Sequence, residues 1–189
     1  MEERPPKPSS ASQTTITELM IPSYANFGGK IHGGILLSLM DKVAYACATK
    51  HSRAYCVTVS VDTVDFLQPV EVGDLVSLHA SINYVGRSSM VIGIKGIAEN
   101  VKQGHVKHTN TCYFTMVAKD EDGNTVAVPP LVLESKEEVR RFVEAIQRKE
   151  LKSSHNAEME KAKSALSLES ALEILDGESC EVRLAGFHD

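Results

Sequence analysis

The chain has 189 residues, a net charge of −5, 42% hydrophobic and 24% charged residues, the proportions of a globular protein with length for one domain and an appendage. The acidic balance argues against a general nucleic-acid binder or a basic membrane-binding patch, and no apolar run approaches the ~20 residues of a membrane span. Cys47, Cys56, Cys112 and Cys180 have no C-x-x-C spacing, so a reducing, cytoplasmic compartment is expected. No metal site is expected either, because the histidines lack ligand spacing, His105 and His108 merely flanking a turn.

Residues 1–13, with Pro5, Pro6 and Pro8 ahead of Ser9, Ser10 and Ser12, read as a disordered lead without the apolar segment of a secretory signal. Thr14 to Ile21 is rich in β-branched residues and predicts a strand, which Pro22 ends. Gly28 and Gly29 then mark a loop that can bend sharply or approach a ligand closely. From about His32 to Lys50 the chain predicts a helix. Ile35, Leu36, Leu37, Leu39, Met40, Val43, Ala44, Ala46, Cys47 and Ala48 make it apolar on nearly every side, and such a helix is expected to be buried. It carries one carboxylate, Asp41, about two turns beyond Gly33-Gly34. A lone buried charge is costly unless it is paired or used.

Tyr55 to Leu67 alternates Val57, Val59 and Val61 with Thr58, Ser60 and Asp62, a strand period. Past Asp62 the apolar phase slips to Val64 and Phe66, which predicts a bulge or bend there. Asp62 and Asp65 point to opposite faces of an extended chain and are expected to be structural. After Pro69 and the Val72-Gly73-Asp74 turn, strands are predicted over Leu75–Tyr84, Met90–Glu99 and His108–Lys119. The Gly86-Arg87-Ser88-Ser89 turn joins the first two. From Lys136 the pattern becomes helical, with Val139, Phe142, Val143 and Ile146 among charges. A polar stretch, Lys152 to Asn156, is expected to separate this from a second amphipathic segment that runs from about Glu158 to Leu175 and stops at Gly177. The order fits an α+β fold, an antiparallel sheet wrapped around one central helix, with additional C-terminal helices.

Several of these stretches occur together in a known family. Asn26, His32-Gly33-Gly34, Met40-Asp41, the run from Val57 to Asp62, Asp65-Phe66-Leu67-Gln68-Pro69-Val70, Val72-Gly73-Asp74 and Val85-Gly86-Arg87-Ser88-Ser89-Met90 resemble the hotdog-fold acyl-CoA thioesterases, in the branch of the bacterial and mammalian cytosolic acyl-CoA hydrolases. The resemblance covers about residues 14–150 and leaves 151–189 as a C-terminal extension. It implies a sheet curled around the helix, protomers joined edge to edge as a homodimer, and commonly a trimer of dimers. It also implies hydrolysis of acyl-CoA to a free acid and CoA at dimer-interface sites, with no cofactor beyond the CoA of the substrate. Two-domain members split the catalytic Asn and Asp between unequal repeats, whereas this chain carries both in one domain.

Attack on the thioester by water that has lost a proton, or by a carboxylate itself through an anhydride, needs a carboxylate held where its basicity can be tuned, and the resemblance gives that role to Asp41. The plainer alternative is that Asp41 caps a loop or pairs with Lys42. The Gly33 amide falls in the first helical turn, where N–H groups lack intrahelical partners and favour developing negative charge, an oxyanion hole. Alternatively, Gly33 only permits a tight entry into the helix. Asn26 can donate and accept, so it can orient water or the thioester, but asparagine also serves turns for local reasons. His32 is expected to be structural or to line the substrate. Gly34 belongs to the same substrate-facing turn, and Gly86, Arg87, Ser88 and Ser89 offer a guanidinium and hydroxyls to a CoA phosphate, although a solvated hairpin has the same composition. A rival without catalysis is an acyl-CoA sensor on this fold, which would need a DNA-binding segment. An enoyl-CoA hydratase would need a histidine set against the carboxylate, and the place of His32 does not match that arrangement.

Overall fold

The structure, a computed structural model, describes residues 4–184. Lys7–Pro8 forms a short strand, β1, and Ser9–Ala11 a 3-10 turn. β2 (Thr14–Leu19) follows, then helix α1 (Gly33–Ser52), β3 (Tyr55–Val61), β4 (Asp74–Val85), β5 (Ser89–Asn100), β6 (His105–Lys119) and a two-residue β7 (Leu131–Val132). The main sheet has five antiparallel strands in the order β2-β4-β5-β6-β3, and β1 pairs with β7 in parallel. This sheet curls around α1 in the hotdog arrangement. Among the described residues, no helix is long and apolar enough to cross a membrane.

Alternation along the strands explains the core. Val76, Leu78, Ala80 and Ile82 of β4, Ile92 and Ile94 of β5, and Cys112, Phe114, Met116 and Ala118 of β6 turn to one face, as a period of two requires. Against them α1 presents Leu36, Leu39, Met40, Val43, Ala44, Cys47 and Ala48, one helical stripe. The rest of α1 is not inside this core. Leu37, Asp41 and Tyr45, at four-residue spacing, form an exposed line on its far side. The expectation that the whole helix, and Asp41 with it, lies buried is therefore corrected for the single chain. An apolar face can await a partner as well as a core, and composition does not separate the two.

The bulge comes earlier than the hydrophobic phase predicts. The register with β6 shifts between Thr58 and Ser60, so Val59 is the extra residue. β3 ends at Val61, but the chain stays beside β6, with Asp62 N–H donating to Tyr113 O and Leu67 N–H to Thr109 O, both at 2.9 Å. At the other end, the lead is folded from well before Thr14. Lys7 N–H donates to Pro130 O at 2.8 Å, and Ser9 and Ser12 are buried. Pairing with β7 supplies the backbone partners that the prolines cannot supply among themselves.

Two compact units divide after Ile146. In the first, Ser135 and Glu138 cap the start of α2 (Lys136–Ala165) reciprocally, Ser135 Oγ accepting from Glu138 N–H and Glu138 Oε2 from Ser135 N–H. Phe142 packs on Tyr84 with ring centroids 5.0 Å apart. The expected break at Lys152–Asn156 is absent: that stretch holds neither glycine nor proline, and its modest propensity penalties do not stop a helix. The helix ends at Ala165, and Ser167 with Ser170 caps a short α3 (Leu168–Ile174) in the second unit.

Candidate active site

The loop ahead of α1 is built around Asn26. Its side-chain oxygen accepts from Gly28 N–H at 2.9 Å and Lys30 N–H at 3.1 Å, and Gly29 takes a left-handed φ of 76° that glycine tolerates. Lys30 Nζ reaches Glu71 at 2.6 Å, and Ile31 N–H donates to Val70 O at 2.9 Å. These contacts tie the loop to the strand connection. The carbonyl half of the Asn26 amide thus does the local work expected of a turn asparagine, and its NH2 half meets no acceptor among the described residues.

His32 caps α1. Its Nδ1 accepts from Gly34 N–H at 2.9 Å, which places the proton of a neutral ring on Nε2. A Cβ on Gly34 would lie 3.0 Å from that Nδ1, so a side chain there would crowd the cap. Gly34 contributes its N–H to His32, and Ile35 N–H donates to His32 O at 2.9 Å. Gly33 N–H is taken by no acceptor among the described residues. Phe66 backs this position, its Cζ 3.4 Å from where a Cβ on Gly33 would sit. An unfilled donor at a helix start favours negative charge.

Asp41 pairs across the elements, not with its neighbour. Thr58 Oγ1 of β3 donates to Asp41 Oδ1 at 2.6 Å, and no ion pair joins Asp41 to Lys42 among the described residues. A cleft of about 400 Å³ opens here, lined by Asp41, Lys42, Tyr45, Tyr55, Cys56, Val57, Thr58 and Met116. Thr58 is the residue that sequence reasoning passed over, treating it only as a polar position in an alternating strand. Its signal was faint: an outward hydroxyl on the strand that returns alongside the helix.

The Gly86-Arg87-Ser88-Ser89 turn is tightly closed, with Gly86 N–H donating to Ser89 O at 2.8 Å. A Cβ on Gly86 would sit 2.8 Å from Ser89 Oγ. Met90 pairs with Met116, and Met116 with Thr58, so the turn lies two strands, about 10 Å, from Thr58 at the same end of the sheet. A larger trough of about 530 Å³ lies on the sheet's outer face beside α2, lined by residues such as His79, Lys95 and Arg141, and touches none of Asn26, Gly33 or Asp41. Size alone does not locate the chemistry.

The fold is the hotdog fold, and comparisons with known proteins supply the class. A family model, the thioesterase superfamily, matches residues 28–105. The protein VdlD of Helicobacter pylori is 46% identical over 134 residues, which cover 71% of this chain and 76% of that protein. A crystal structure of an apo-hexameric acyl-CoA thioesterase superposes with a TM-score of 0.79 at 34% identity, covering 82% of this chain and 99% of the other. An acyl-CoA hydrolase from Staphylococcus aureus, solved with butyryl-CoA and CoA, gives 0.76 at 30%, covering 85% and 98%. Variants of that hydrolase were solved with an asparagine, an aspartate fifteen residues later and a threonine seventeen residues beyond it each replaced by alanine. The chain belongs to the thioesterase superfamily.

Proposed function

We propose that the chain hydrolyses acyl-CoA thioesters to a carboxylic acid and CoA, with Asp41 activating the water. One observation carries this. Asn26, Asp41 and Thr58 repeat the fifteen- and seventeen-residue spacings of the three residues replaced in the S. aureus hydrolase, and here Thr58 is hydrogen-bonded to Asp41. The hydroxyl holds Asp41 Oδ1 and leaves Oδ2 to take a proton from water. The water oxygen bonds to the carbonyl carbon, negative charge collects on the carbonyl oxygen, and the C–S bond then breaks. The departing sulfur receives the proton held by Asp41.

The oxyanion donors for that step are Gly33 N–H and the Asn26 NH2 group. Gly33 and Asp41 stand eight residues apart on one helix, about 12 Å along its axis, while the carbonyl held by Gly33 N–H and the water held by Asp41 must meet in contact. No single chain spans that gap. The site therefore combines Asp41 and Thr58 of one protomer with Asn26 and Gly33 of another, and a homodimer has two such sites. Exposed Val59 and Val61 on the free edge strand β3, with Leu37 and Tyr45 on α1, support an interface there. Assembly as a trimer of dimers is part of the same proposal, supported by the hexameric relative. Arg87, Ser88 and Ser89 take the CoA phosphates, the substrate supplies the only CoA, and no further cofactor is invoked. The hotdog domain spans about residues 14–150 in this reading, and a cytoplasmic location agrees with the unpaired cysteines.

Thiol release from acyl-CoAs of graded chain length, with Asp41→Asn beside wild type, tests the reading. Turnover that falls by ~100-fold or more in the variant supports it. Binding of acyl-CoA without turnover in wild type would instead identify a sensor.

A further inference from the structure

Beyond Asp41 the cleft has an end. α1 and β3 run in opposite directions, joined at Arg53, whose φ of 55° turns the chain back sharply. Two contacts cross between them like rungs. The first is Thr58 Oγ1 to Asp41 Oδ1. The second, nearer the turn, is Tyr45 against Tyr55, ring centroids 6.3 Å apart and planes at 61°. Tyr45 follows Asp41 by one helical turn, about 6 Å, and Tyr55 precedes Thr58 by three strand residues, about 10 Å. Between the rungs on β3 lie Cys56 and Val57, with Met116 level with Thr58, and these apolar side chains line the cleft beside Lys42.

The geometry points to Tyr45 and Tyr55 as the stop that limits acyl-chain length, an inference that rests on the thioesterase reading above. A thioester whose carbonyl meets Asp41 can lay its first methylenes over Met116 and Cys56, where apolar contact is rewarded. Within about one helical turn it meets the edge-to-face ring pair. The two aromatic side chains are 40% and 59% exposed, so they keep ring surface available to the cleft they line. Together they wall the cleft at the end away from the carboxylate, and short acyl chains are the class of substrate that fits.

The test uses S-alkyl-CoA thioethers of increasing length, which bind without being cleaved, followed by thiol release from the matching acyl-CoAs. In wild type each methylene gains about fourfold in affinity until the chain reaches the rings, and then the gain stops. Tyr45→Ala and Tyr55→Ala move that plateau to longer chains, with the next two methylenes again gaining about fourfold each. Tyr45→Phe and Tyr55→Phe keep the wild-type plateau, because the ring and not the hydroxyl is the barrier. Coincident profiles for wild type and the alanine variants would overturn the stop, as would thioethers of every length binding no better than CoA. A shifted plateau without thiol release from any acyl-CoA supports the stop and removes the hydrolytic reading, so the two fail separately.

Discussion

At the level of single side chains, Asp41 and Gly96 show two unlike sensitivities. Asp41 is exposed in the single chain, so Asp41→Asn removes the proposed proton acceptor without opening the core. Turnover should fall ~100-fold or more while the thermal midpoint hardly moves. Thr58→Val leaves the carboxylate but not its orienting donor. A hydrogen bond to a charged group contributes about 1.5–3 kcal/mol, so kcat should drop roughly 10- to 100-fold, and stopped-time thiol assays would rank the two. Gly96, by contrast, is needed for packing: a Cβ there would lie 2.1 Å from Oδ1 of Asn110. Asn110 is buried, accepts from Thr109 Oγ1 at 2.9 Å and donates to Met40 Sδ at 3.4 Å. Gly96→Ala must displace that amide, and urea denaturation should show a loss of about 1–3 kcal/mol. Asp41, Asn26 and Gly33 are singled out through the family resemblance, because a turn asparagine and a helix-start glycine also serve local needs and the buried carboxylate expected at position 41 is exposed in the single chain. Thr58 is not, since a threonine in a strand is ordinary until the partner across the cleft is known.

The elements carry a second kind of dependence, concentrated where α1 ends. His51, in its last turn, is fully buried, with Nε2 3.0 Å from Pro129 O and Nδ1 3.4 Å from Ser12 Oγ. A carbonyl only accepts, so Nε2 carries the proton of a neutral ring. Burial pushes the pKa of His51 below the ordinary 6.5, the Pro129 carbonyl opposes this, and the Lys7 cation adds to the lowering. The unfolded chain therefore binds a proton first as the pH falls. Stability from this group is complete above about pH 6.5 and is lost below it, by up to about 1.4 kcal/mol per pH unit until the folded pKa is reached. Urea midpoints at about pH 7.5 and 5.5 should show that loss, and His51→Gln should flatten it. The sequence could not announce this device, because it joins a lead read as disordered to a helix end and to Pro129. Strand periods and the central helix were legible from local pattern; the position of the bulge and the folded lead depend on pairing partners distant in sequence, while the unbroken α2 follows from local propensities too mild to stop a helix.

For the whole molecule, the decisive question is which chain supplies each half of a site. Eight residues of helix separate Gly33 from Asp41, and no rotation of side chains closes about 12 Å. If two protomers share each site, defects on opposite halves must complement. Chains carrying Asp41→Asn and chains carrying Asn26→Ala, each with a different affinity tag, are expected to be nearly inactive as separate homodimers. Co-expressed and purified through both tags, the mixed dimer contains one site with Asn26 from the first chain and Asp41 from the second, both intact, and one site with both lesions. Thiol release should return to about half the wild-type rate per dimer, with an unchanged KM, because oriented groups act together or hardly at all. Were each site made within one chain, every site of the mixed dimer would carry one lesion and the activity would stay at the level of the parents. Charging the free edge gives the converse result. Val61→Lys, on the edge strand of the sheet, should weaken dimerisation by sedimentation and lower turnover in parallel, although Val61 lies outside the cleft that holds Asp41.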